Sequence, residues 1–257
     1  MREHGVGATL ALEHDARLAL APMHVAQLGL VPYARALELQ RAVARARISG
    51  EIEHDVLLLL EHSPVVTLGR TSKAQNLVAS PELLAARGVE LFEVERGGDV
   101  TFHGPGQLVG YPIVNLRGHK QDLHWYLRQV EEVLIRALAR LSLAAQRSDG
   151  RTGVWIGDRK IASIGVHARD WVTWHGFALN VSTDLSFFDL IVPCGLAGVT
   201  MTSVARELGA ATPSFGAVAD SVIAAFGTVF ALAPSTPERE TLDAILSAFP
   251  LIPPPRC

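Results

Sequence analysis

The chain has 257 residues, of which 49% are hydrophobic, and a formal net charge of −3. That length supports one substantial core, so a single main domain is expected. The mild acidity, with no Lys/Arg-rich block, argues against a nucleic-acid partner, which needs a basic face to replace phosphate counterions.

Residues 1–20 show no clear period and read as an extension whose apolar stretch is interrupted by Glu13, His14, Asp15 and Arg17, unlike a signal peptide. A strand is predicted over 23–28. After Pro32 comes a helix over 33–48, apolar on one side and carrying Arg35, Glu38, Arg41 and Arg45 on the other. The run 55–61 is almost wholly apolar, as in a strand covered on both faces. Its apolar part, 56–60, is far too short to span a membrane, and none is expected as a partner. Ser80-Pro81 offers an N-cap with proline at the first helical position, opening a short helix that stops at Gly88. A strand follows over 89–95.

The stretch 96–107 is dense in glycine and polar residues and is predicted to be loop. A strand is expected over 108–116 and the longest helix over 122–144. Strands over 154–156, 160–167 and 172–181 follow, with Gly157-Asp158 as a hairpin turn between the first two. Helices are predicted over 217–232 and 242–249, before Pro253-Pro254-Pro255. These elements give an α+β (mixed α/β) class. The domain organisation expected is an extension (1–20), a catalytic domain (21–235), and a C-terminal helix with a proline-ending tail (236–257).

Three segments hold candidate chemistry. The first is Arg96-Gly97-Gly98-Asp99-Val100-Thr101-Phe102-His103-Gly104-Pro105-Gly106-Gln107. Its glycines allow close approach by a ligand, and Arg96, Thr101, His103 and Gln107 supply donors; a plain glycine-rich turn is the blander alternative. It is neither a Walker A loop nor a dinucleotide fingerprint. The second is Lys160-Ile161-Ala162-Ser163-Ile164-Gly165. Strand alternation puts Lys160 and Ala162 on one face, Ile161 and Ser163 on the other. A strand lysine is usually solvated, but small neighbours here leave room for something to lie against the strand. The third is Pro193-Cys194-Gly195. A lone cysteine is usually a small buried hydrophobe, yet proline and glycine on either side suit an exposed sulfur better. Cys257, the only other cysteine, is discounted at the chain terminus. Two distant thiols exclude a disulfide scaffold and suit a reducing cytoplasm.

Taken in order, Arg-Gly-Gly-x-x-Thr-Phe-His-Gly-Pro-Gly-Gln, Lys-Ile-Ala-Ser-Ile-Gly and Pro-Cys-Gly resemble the lipoyl(octanoyl) transferase family. The resemblance covers residues 23–232; Phe102 stands where tyrosine is commoner. It implies the fold of biotin and lipoate protein ligase catalytic domains, a mixed sheet flanked by helices. It also implies a dyad of Cys194 and Lys160, and an acyl pocket lined by 96–103 (Arg96, Gly97, Gly98, Asp99, Val100, Thr101, Phe102, His103), by Ser163, Ile164 and Gly165, and by Gly176, Phe177 and Ala178.

An ammonium beside a thiol, whose ordinary pKa is about 8.5, favours the reactive thiolate. The implied reaction takes octanoyl from octanoyl-acyl carrier protein onto Cys194. It then passes to a lysine of lipoyl domains, in 2-oxoacid dehydrogenase complexes or the glycine cleavage H protein. Thioesters are already activated, so no cofactor, ATP or metal is expected. The spacing of His103, His119 and His124 does not resemble a zinc site; for His103 the expectation is a hydrogen bond that positions the Lys160–Cys194 region. Rival readings are an ATP-dependent ligase on the same fold, a non-catalytic module that binds acylated carriers, and a cysteine hydrolase.

Overall fold

The computed structural model describes residues 20–192 and 198–235. The N-terminal extension, the helix expected over 242–249, the proline-ending tail and the Pro193-Cys194-Gly195 motif lie outside the described residues.

Eleven strands among the described residues form two sheets. β1 (Ala21–Leu30) and α1 (Tyr33–Ser49) are followed by β2 (Asp55–Glu61), β3 (Val65–Leu68), α2 (Pro81–Ala86), β4 (Glu90–Glu93) and β5 (Val100–His103). Next come β6 (Gln107–Ile113), α3 (Leu123–Arg140), β7 (Gln146–Ser148), β8 (Arg151–Ile156), β9 (Arg159–Arg169) and β10 (Val172–Asn180). The short α4 (Val204–Leu208), α5 (Phe215–Phe230) and β11 (Leu232–Ser235) complete the order.

The large sheet runs β11-β1-β2-β6-β10-β9-β8-β7. Its β11–β1 and β1–β2 pairs are parallel and the others antiparallel, so the sheet is mixed. The apolar run of β2 explains its central place. Leu57 and Leu59 pack toward α3 and α5, while Val56, Leu58 and Leu60 pack toward α1. Both faces of that strand are covered, as its composition requires. The small sheet, β4-β3-β5, carries its own apolar cluster of Val66, Val100, Phe102 and Phe188.

Four sequence expectations are corrected. The glycine-rich run is not all loop: Val100–His103 forms β5, whose four residues are buried and pair antiparallel with β3. β-Branched and aromatic side chains outweigh the flanking glycines there. The longest helix stops at Arg140 rather than near 144, because Leu141 caps it and Ser142 takes φ 63°. Leu232 does not end a helix but opens β11, after Ala231 turns the chain with φ 53°. Strict alternation across 160–163 also fails. Trp155 pairs with Lys160 and Val154 with Ala162, so one step on β8 opposes two on β9, a bulge with Ile161 as the extra residue. Lys160, Ile161 and Ala162 are consequently all buried. The strands β3 and β7 had no counterpart in the sequence expectations.

Candidate active site

A cavity of about 430 Å³ lies where the two sheets meet. The small sheet and its approach contribute Arg96, Gly98, Asp99, Val100, Thr101 and His103. The large sheet contributes Ser163, Ile164 and Gly165 from β9 and Gly176, Phe177 and Ala178 from β10. Of the expected pocket residues, Gly97 and Phe102 stand outside this lining. The Gly97 N–H donates to the Val166 carbonyl at 2.8 Å, fastening one sheet to the other. The Phe102 ring turns into the small sheet's core, stacked on Phe187 at 4.7 Å between centroids.

Close packing shapes the β10 wall. Gly110 on β6 pairs with Phe177, and a Cβ at Gly110 would run into the Phe177 ring. A Cβ at Gly176 would likewise meet the Gly110 carbonyl. Gly110 therefore leaves room for the Phe177 ring, and Gly176 for the close approach of β6 to β10.

Arg96 is 7% exposed and is bound to the small sheet: Nε donates to Thr67 Oγ1 at 3.1 Å and Nη2 to the Thr67 carbonyl at 2.6 Å. Asp99 accepts from the Asn76 amide and, through Oδ1, from the Val100 N–H at 2.7 Å. These two charged lining groups brace the wall of the cavity.

Lys160 is 1% exposed, three residues before Ser163 on β9. Its Nζ stands 5.5 Å from the centroid of the Trp155 ring. Its backbone is bound on the other side by a strap: Lys160 N–H donates to the Thr200 carbonyl at 2.8 Å, and Thr202 N–H to the Lys160 carbonyl at 2.9 Å. Upstream, Val192 N–H donates to the carbonyl of Asn76, itself a lining residue, at 2.7 Å. The chain is thus anchored at the cavity on one flank of 193–197 and at Lys160 on the other.

His103 connects to this strap through side chains. His103 Nδ1 lies 2.8 Å from Gln107 Oε1, Gln107 Nε2 donates to Asn180 Oδ1 at 2.9 Å, and Asn180 Nδ2 donates to the Thr202 carbonyl at 3.0 Å. Only one set of amide orientations satisfies this chain, and it places the His103 ring proton on Nδ1.

Sequence reading missed a cluster of buried rings at the cavity: Tyr33, Tyr111 and His175 line it, and His62 lies behind them. His62 Nε2 lies 2.7 Å from the Tyr111 hydroxyl and Nδ1 2.7 Å from the Val31 carbonyl. Burial pushes Tyr33 up to about 12 and Tyr111 well above its ordinary value. It also pushes His62 down to about 4 and His103 well below its usual range. These groups are neutral at pH 7, so they line the cavity with hydrogen-bonding capacity but no charge. His175 has φ 55° within β10, uncommon for a non-glycine residue, and its N–H donates to Gln40 Oε1 at 2.7 Å. No local sequence signal distinguishes these residues, because they converge from α1, β6, β10 and the residue that follows β2.

The lipoyl protein ligase A/B catalytic domain family matches residues 32–227. An octanoyltransferase of Rubrobacter xylanophilus is 55% identical over 190 residues, 73% of this chain and 85% of that protein. One from Koribacter versatilis is 55% identical over 192 residues, 73% of this chain and 76% of that protein. The chain belongs to this family of acyltransferases. Solved structures agree on the fold. A bipartite lipoate protein ligase of Thermoplasma acidophilum superposes with TM-score 0.70 at 16% identity, over 90% of this chain and 91% of that one. A lipoate-protein ligase A bound with ATP gives 0.71 at 18% identity, over 89% and 93%. The mixed sheet flanked by helices is therefore the lipoate protein ligase fold.

Proposed function

We propose that this protein is an octanoyltransferase that uses a Cys194 thioester and Lys160 to move octanoyl from acyl carrier protein to a lysine of a lipoyl domain. The observation that carries this reading is the anchoring of the chain around Cys194: Val192 at the cavity wall, Thr200 and Thr202 at the buried Lys160. Octanoyl transfer is also the activity named for relatives 55% identical over most of their length.

In the first half-reaction the Cys194 thiolate attacks the thioester carbonyl. A new C–S bond forms, the bond to the carrier's sulfur breaks, and the departing thiolate takes a proton from the Lys160 ammonium. In the second, the acceptor lysine's neutral amine attacks the octanoyl-S-Cys194 carbonyl. The C–N bond forms, the Cys194 thiolate leaves, and the excess amine proton passes to Lys160, restoring the ammonium. Energy for both steps resides in the thioester, so no ATP enters the scheme. The cavity, within the range of about 300–1,000 Å³ common for small-ligand pockets, is read as the acyl site, with Phe177 and Ile164 as apolar wall. The acceptors are taken to be lipoyl domains of 2-oxoacid dehydrogenase complexes and the glycine cleavage H protein, and the location the cytoplasm.

Intact mass measurement after mixing with octanoyl-acyl carrier protein tests this. One added octanoyl group on the peptide that holds Cys194 is the expected result; label on another residue overturns it. A strict need for ATP with free octanoate would favour the ligase reading, and binding of acylated carrier without transfer, intact in Cys194→Ser, the binding-module reading.

A further inference from the structure

Glu131 is a buried carboxylate, 1% exposed, with no part in the chemistry above. A carboxylate is costly to bury unless charges and donors surround it. Arg128 Nη1 at 2.6 Å and Arg147 Nε at 3.1 Å supply the charge to Oε2. The third donor is different in kind: the backbone N–H of Gly153 on β8 donates to Oε1 at 3.1 Å.

Gly153 borders Lys160. Its φ is +128°, and a Cβ built there would lie 2.7 Å from Lys160 Cε, 3.3 Å from Nζ and 2.7 Å from the Ala162 carbonyl. The main chain of Gly153 thus packs directly against the end of the lysine side chain, whose Nζ also lies near the Trp155 ring. The pairings of β8 with β7 and with β9 both skip Gly153, which sits beside the bulge. The Glu131 carboxylate holds this peptide through its N–H.

We propose that Glu131 is a positioning residue for the reaction, holding the Gly153 backbone as the surface against which the Lys160 side chain is set. The proposal rests on the reading of Lys160 as the catalytic amine. It also explains a glycine at 153: any side chain there would displace the ammonium as well as strain the backbone.

The chain has three lysines, Lys73, Lys120 and Lys160, so lysine-labelled full-length protein should give three resolvable side-chain NMR signals. The Trp155 ring current marks that of Lys160, and Lys160→Met assigns it. In Glu131→Met and in Gly153→Ala the marked signal should move toward those of the exposed Lys73 and Lys120. Their kcat should fall about 100-fold, with KM for octanoyl-acyl carrier protein changed less than about threefold. Glu131→Gln, which keeps an oxygen for the Gly153 N–H, should retain both signal and kcat. If Gly153→Ala does not fold, the two Glu131 variants decide alone. An unmoved Lys160 signal in folded Glu131→Met, or a moved signal with unchanged kcat, overturns the proposal. Full activity in Lys160→Met would instead sink the catalytic reading of that lysine, whatever the Glu131 variants do.

Discussion

Gln107 donates through Nε2 to Asn180 Oδ1 at 2.9 Å, and this one bond joins the glycine-rich run to the strap that pairs with Lys160. Asn180 passes the connection on to the Thr202 carbonyl, and both side chains are 1% exposed. Replacing Asn180 with Ala leaves a buried carbonyl without that donor and takes from the Gln107 amide one of its acceptors. We expect a stability loss of about 1–3 kcal/mol by denaturant titration. Because the strap is bound to Lys160, acyl transfer should fall in the folded variant too. A fall in stability alone would mean that the chain is only structural.

Gly110→Ala addresses the cavity wall. The new methyl group would run into the Phe177 ring, which lines the cavity, so either the ring or β6 must shift. Overpacking of this kind costs about 1–3 kcal/mol, and we expect it together with weaker use of the eight-carbon donor. Thermal melting and donor KM check the two effects separately.

Acid should destabilise the protein before most carboxylates titrate. Burial holds His62 at about 4, against an ordinary value of 6.5. As pH falls, the unfolded chain therefore binds this proton first. The stability contributed by neutral His62 is complete above the unfolded value and is lost as pH falls from about 6.5 toward about 4, by about 3 kcal/mol. His103 and His175 are lowered by burial in the same direction and steepen the slope. Urea titrations across this window should show stability rising with pH. In His62→Gln the slope should drop by the equivalent of one proton; an unchanged slope refutes the assignment.

Lys160→Met tests the electrostatic half of the dyad. Without the ammonium, iodoacetamide alkylation of Cys194 should require a higher pH than in the parent protein. Coincident pH profiles for the two proteins would separate the lysine from the thiol.

Elements whose cause is local were legible in the sequence. α1 shows in its helical period, β2 in its doubly buried run, and α2 in its Ser80 cap, whose Oγ accepts from the Leu83 N–H at 3.3 Å. The three motifs brought forward Lys160 and nine of the residues that line the cavity. What escaped depends on pairing at a distance. β5 looked like loop because its neighbours are glycines, and only β3 as a partner makes it a strand. The bulge at Ile161 depends on the register of β8 against β9, which no alternation pattern within β9 encodes. Tyr33, Tyr111 and His175 meet at the cavity from separate elements, each unremarkable in its own segment.

Because the cavity lies at a seam between two sheets, its width is an elastic property of the joint as well as a matter of which side chains line it. The Gly97–Val166 bond is one stitch across that joint. Loosening the three-stranded sheet, even far from Lys160, would let the walls part. Acyl-length preference and the local opening free energy of that sheet should then vary together, the less rigid variants admitting the bulkier chains.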